Sequence, residues 1–169
     1  MKRSIERGFT LVEIMIVVAI IALLAAIAIP NVLRGRTTAN ESAAIGNLRA
    51  LISSLEMYRS VYQAYPTDWD NHMYGTNCTT AAPDPDFGPP SFCKDLASQQ
   101  TVQGFKYDYA SAAGTGTYDI RAVPATGSDG TRSFLANETG LIRHCSGLTA
   151  STVQLDDEAT IDATPDACD

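Results

Sequence analysis

The sequence predicts an α+β fold in which one long N-terminal α-helix, apolar in its first half and amphipathic in its second, packs on a four-stranded antiparallel sheet. Three observations carry that prediction. From Phe9 to Ile29 the only strongly polar side chain is Glu13. From about Thr37 to Tyr62 apolar residues return at helical spacing, and from Gly104 the period switches to two. The chain has 169 residues, enough for one globular core and a tail but not for two cores. Apolar residues make up 45% and charged residues 18%, which excludes a disordered chain. The mean hydropathy of −0.04 averages a membrane-like end with a water-soluble one. A net charge of −7 argues against nucleic-acid binding, which needs a basic surface to replace counterions on phosphates.

Lys2, Arg3 and Arg7 precede the apolar run Phe9–Ile29. As a helix rising ~1.5 Å per residue, that run spans about 31 Å, close to the hydrocarbon thickness of a bilayer. Three bases against one acid, Glu6, keep the N-terminal flank cytoplasmic under the positive-inside rule, so everything after Pro30 lies across the membrane. Such an N-terminus has three fates. It is cut after the apolar run, where Ala26-Ile27-Ala28 fits the small-x-small rule and yields a secreted protein. It stays uncut as the anchor of a non-polymerising extracytoplasmic binding domain. Or it is cut before the apolar run, which then stays as a working part of the mature chain.

Glu13 discriminates among these. A carboxylate within a membrane helix is costly, and neither a disposable signal nor a plain anchor gains from it. It makes sense if the helix later leaves the bilayer and packs against copies of itself, where a cation meets the carboxylate. The plainer account places Glu13 near enough to the helix start to reach headgroups and to suit the helix dipole.

The string Gly8-Phe9-Thr10-Leu11-Val12-Glu13, followed by Ile14 to Ile29 and Pro30, resembles the class III signal of type IV pilins and type II secretion pseudopilins, most like a type IVa pilin. The resemblance implies a prepilin of the bacterial inner membrane, single-pass, cleaved between Gly8 and Phe9 on the cytoplasmic face by a prepilin peptidase. It implies N-methylation of Phe9 by the same enzyme, and a register pair between the new α-ammonium of Phe9 and Glu13 of a neighbour. That amine is cationic at neutral pH, methylation keeps its charge, and a paired ion is tolerable in an apolar bundle where an unpaired one is not. Gly8, lacking a Cβ, lets a protease approach the backbone. The partners implied are other copies of the chain, the assembly platform and its ATPase, and the end state is an extracellular filament or a periplasmic pseudopilus. Pro30 removes a backbone donor and Gly35 weakens the helix a turn later, so in a fibre of this kind Ile29–Gly35 is expected to bend or unwind.

Beyond Pro30, Ala44, Leu48, Leu51, Leu55, Tyr58 and Tyr62 alternate at steps of four and three, with Ile45 and Ile52 widening the stripe and Glu41, Asn47, Arg49, Glu56 and Arg59 on the other face. Tyr65-Pro66 ends the helix, because the residue before proline avoids the α region; many members of the resembling family end it the same way. Four prolines between 83 and 90 break regular structure. Phe105, Tyr107 and Tyr109, then Tyr118, Ile120 and Ala122, alternate with polar neighbours. Ser133–Ala136 and Leu141–His144 are two further strands, and turns separate all four. The expected organisation is a leader at 1–8, the membrane and polymerisation helix at 9–36, an amphipathic helix at 37–66, a connecting loop at 67–103, the sheet at 104–145 and a disulfide-bounded C-terminal region at 146–169. Together these make the pilin fold that the resemblance implies.

All four cysteines lie beyond the span, in an oxidising compartment. Three pairings are open, and the local ones, Cys78–Cys93 and Cys145–Cys168, are the reading adopted. A loop of about fifteen residues closed this way gains about 3 kcal/mol. The second bridge would pin the acidic tail to the last strand, as in many type IV pilins. No metal site is expected: there is no C-x-x-C spacing, and His72 and His144 are the only histidines. Asp156, Asp157, Glu158 and Asp162 offer oxygen atoms to calcium, as near the C-termini of some pseudopilins, but without EF-hand spacing they read as a solvated loop. No nucleophile–base set, phosphate loop or zinc-protease motif is present, so the chain reads as a non-enzyme without a cofactor.

Overall fold

The structure, a computed structural model, describes residues 9–67, 69–74, 86–93, 101–111 and 116–146. The chain divides into two compact units, Met1–Arg36 and Thr37–Asp169. Helix α1, Leu11–Tyr62, supplies the first unit's described helix and the second unit's long helix.

In the second unit the alternating stripe packs as its spacing predicts. Ala44, Leu48, Leu51, Leu55 and Tyr58 are buried against Phe105, Tyr107, Ile120, Ala122 and Phe134 of the sheet. Glu41 departs from the expected pattern. It lies one turn before Ala44 on the same face, and it is buried rather than solvated. Its Oε1 accepts from the Thr131 N–H (2.9 Å), the Thr131 hydroxyl (2.9 Å) and the Arg132 N–H (3.2 Å). Its Oε2 accepts from Arg132 Nε (2.9 Å) and Nη2 (2.6 Å). These five bonds satisfy both oxygens and tie the helix to the start of a strand.

Helix α1 stops at Tyr62, three residues before Tyr65. Gln63 takes a left-handed conformation (φ 59°) and its N–H donates to the Arg59 carbonyl at 2.8 Å, an αL cap that closes the helix before the proline can. Tyr65-Pro66 instead anchors the exit. The Tyr65 hydroxyl donates to Glu56 (2.6 Å) and accepts from Arg59 (2.8 Å), and the Pro66 carbonyl accepts from the Tyr109 hydroxyl (2.6 Å). Tyr62, expected in the core, is about half exposed and lies tilted against Tyr58, ring centroids 4.5 Å apart. A short helix α2, Trp69–Met73, and a 3-10 turn, Pro90–Phe92, lie in the segment expected to be loop, and Trp69, Met73 and Phe92 join the core.

Among the described residues the sheet has five strands, not four: β1 Thr101–Val102, β2 Phe105–Ser111, β3 Tyr118–Pro124, β4 Arg132–Asn137 and β5 Ile142–Ser146, in sequential antiparallel order. The added strand arises from a two-residue turn. Gln103 (φ 51°) and Gly104 (φ 82°) both have positive φ, the signature of the type I′ hairpin whose twist matches its strands, and Val102 pairs with Phe105 across it. The four anticipated strands pair in register, Tyr107 opposite Ala122, Ala122 opposite Phe134, and Phe134 opposite His144.

Candidate functional site

In the first unit, Thr10 and Glu13 start the helix. The Thr10 N–H and hydroxyl both donate to Glu13 Oε2 at 2.9 Å, and the Glu13 N–H donates back to Thr10 Oγ1 at 3.3 Å. This is a capping box, T-x-x-E, which satisfies otherwise orphaned groups at a helix N-terminus. Among the described residues Glu13 Oε1 accepts no hydrogen bond, so one carboxylate oxygen stays open to a further donor. The sequence analysis does not single out Thr10, although threonine three residues before glutamate, at the head of an apolar run, is a legible capping signal.

The remainder of the unit is apolar and uncovered. Phe9 is 83% exposed, and every large hydrophobic residue from Leu11 to Leu33 is at least half exposed. The helix is long and apolar enough to cross a membrane. A continuous greasy cylinder of this kind is not stable in water and needs lipid or other apolar helices around it. The chain stays helical through both Pro30 and Gly35. The Asn31 side-chain amide donates to the Ile27 carbonyl at 3.1 Å, close to the donor that Pro30 lacks. The helix is thus not melted at Ile29–Gly35 in the single chain, and bending or unwinding there belongs to the proposal for the fibre.

The prokaryotic N-terminal methylation motif matches residues 3–29. The type II secretion system core protein G of Aeromonas hydrophila is 30% identical over 138 residues, covering 81% of this chain and 95% of that protein. Its counterpart in Vibrio cholerae is 31% identical over 126 residues, covering 74% of this chain and 84% of that one. The chain belongs to the type IV pilin and pseudopilin family. The type IV major pilin protein PilA of Myxococcus xanthus is also similar, 41% identical over 88 residues that cover 47% of this chain and 40% of that pilin. No solved structure matches the chain.

Within this pilin-type chain the other predicted site residues are placed unevenly. Gly8 lies outside the described residues, next to an exposed Phe9. Cys93 and Cys145 are both disulfide-bonded. Cys78 and Cys168 lie outside the described residues, so the pairing Cys78–Cys93 and Cys145–Cys168 stays an expectation. Asp156, Asp157, Glu158 and Asp162, the carboxylates weighed for calcium, also lie outside them. Among the described residues no three His, Cys, Asp or Glu side chains converge on a common metal position.

Proposed function

We propose that this chain is a structural subunit, not an enzyme, made as a prepilin and polymerised into a type IV pilus-like filament after cleavage between Gly8 and Phe9 and methylation of Phe9. The observation that carries the reading is the capped glutamate at the head of an uncovered apolar helix. Glu13 keeps one oxygen on Thr10 and offers the other, at the membrane-inserted end where cleavage creates an ammonium. Before assembly the Phe9–Ile29 surface is buried in lipid, and afterwards it is buried among neighbouring helices. Both surroundings are apolar, so packing, the Phe9–Glu13 register pair and an energy-using assembly machine must give the transfer its direction. In this reading the partners are other copies, a prepilin peptidase, the inner membrane, and an assembly platform with its ATPase. Pro30 and Gly35 supply the weak turn at which the helix bends or unwinds inside the fibre. No cofactor is needed, and no nucleic acid is engaged.

Imaging of cells with and without the gene tests the proposal, with filaments expected only when the chain is present. A Glu13→Ala variant should insert in the membrane normally yet assemble slowly or not at all. Normal filaments from that variant would refute the register role. A second reading, a type II secretion pseudopilin, is favoured by the near-full-length likeness to core protein G. It predicts a short periplasmic fibre, and loss of exoprotein secretion rather than of surface filaments on deletion.

A further inference from the structure

In the second unit, the side of α1 turned away from the sheet carries two distinct edges. The buried stripe from Ala44 to Tyr58 fixes the sheet-facing side. Across the helix from it, helical spacing sets Arg49 and Glu56 along one edge and Ala50, Met57 and Val61 along the other. All five are exposed, Met57 by 50% and Val61 by 60%, so the second edge is a strip of apolar surface about three turns long.

The two charges are set up differently. Arg49 makes no hydrogen bond or ion pair among the described residues. Glu56 is held in place: its Oε1 accepts from the Tyr65 hydroxyl at 2.6 Å, and that hydroxyl accepts from Arg59 Nη1 at 2.8 Å. Tyr65 is itself buried, so the carboxylate is fixed on the helix surface. Among the described residues Glu56 Oε2 accepts no hydrogen bond. Arg49 and Glu56 are seven residues apart on one side of the helix, about 10.5 Å along its axis, and they do not pair within the chain.

We propose that Arg49 of one copy pairs with Glu56 of a neighbouring copy, on parallel helices displaced by seven residues, as a register point separate from Phe9 and Glu13. The inference rests on the structural-subunit reading. In that reading all copies leave one membrane the same way up, so their helices run parallel. Parallel helices in level register set Arg49 against Arg49 and Glu56 against Glu56, and like charges facing each other are costly. A displacement of two turns, about 10.5 Å, removes both repulsions and brings Arg49 to the open oxygen of Glu56. The surface lies on the same helix as the uncovered apolar run, which needs apolar neighbours once it leaves lipid. An exposed ion pair adds little strength, so this one acts on register more than on affinity.

The test measures the fibre recovered from cells, surface or periplasmic, relative to the amount of subunit in the membrane. Arg49 bonds to nothing in its own chain, so Arg49→Glu should leave the membrane pool unchanged. It should lower fibre yield by about tenfold or more, because two acids then meet at each contact. Adding Glu56→Arg to Arg49→Glu should restore yield to within about threefold of the unaltered chain. If Glu56→Arg disturbs the Tyr65 anchor and the chain fails to fold, Glu56→Gln keeps an oxygen for Tyr65 and removes the repulsion. The Arg49→Glu, Glu56→Gln chain should then give at least about threefold more fibre than Arg49→Glu alone. Assembly of Arg49→Glu at the normal yield overturns the pair and leaves the subunit reading standing. Double variants no better than Arg49→Glu also overturn it, and assign Arg49 to a different partner. An unaltered chain that forms no fibre overturns the subunit reading, and the pair with it.

Discussion

Glu41 of α1 and Arg132 of β4, ninety-one residues apart, meet in an ion pair of 2.6 Å that joins the helix to the sheet. The carboxylate is buried, whereas the arginine side chain is 44% exposed. Glu41→Gln keeps an oxygen to accept from Thr131 but turns an NH2 donor toward the Arg132 guanidinium in place of Oε2, so it should lower stability by about 2 kcal/mol, less than a fully buried pair would lose. Urea unfolding of the full chain in micelles should show an earlier midpoint with an unchanged slope.

The same pair sets an acid limit. Burial alone raises the Glu41 pKa, but the hydrogen bonds from Arg132 and Thr131 outweigh it and hold the carboxyl below the usual glutamate range. A lowered folded-state pKa contributes stability that is complete above the unfolded value of about 4.3 and is lost as pH falls through the folded value. Unfolding midpoints measured from pH 6 downward should therefore decline below about pH 4, and the decline should be shallower in Glu41→Gln.

An alkaline limit follows from Tyr107. Burial pushes its phenol up to about 12, only partly offset by the hydrogen bond from Asn47. A raised folded-state pKa gives stability that is full below the unfolded value of about 10 and lost as pH rises toward the folded one. Tyrosinate absorbance from Tyr107 and the other buried tyrosines should therefore appear together with loss of circular dichroism. Ionisation of all seven tyrosines with the fold intact would contradict the burial assigned here.

At Gly104 the backbone adopts φ 82°, and an added Cβ would stand 2.8 Å from the Asn40 side-chain amide. Asn40 donates to the Asp129 carbonyl at 3.0 Å, so its amide could move away from an added Cβ only by giving up that bond. Gly104→Ala should cost about 1–2 kcal/mol from the left-handed conformation alone, read from the same urea curves.

Much of this arrangement was legible in the residues. The helical stripe from Ala44 to Tyr58 and the period-two strands could be read because each face buries a single uninterrupted set of side chains. The fifth strand could not, since it is two residues long and rests on a Gln-Gly turn rather than the more familiar Asn-Gly. The helix end was misplaced because an αL cap at Gln63 acts before the Pro66 restriction does. Glu41 was assigned to the polar face by residue type, although its position belongs to the apolar stripe, and only a partner ninety residues away reverses that assignment. For the N-terminal site, Glu13 is evident as a lone acid in an apolar run, and Thr10 is readable only when the T-x-x-E spacing is taken together with the apolar run that follows.

The account depends on the mature chain beginning at Phe9 with its amine free to meet Glu13. Mass spectrometry of the N-terminal peptide from purified protein measures that directly. The account predicts an N-methylated phenylalanine as the first residue. A chain beginning at Ile29 would make it a secreted protein, and one beginning at Met1 an uncut anchor, and either result would contradict polymerisation through this helix.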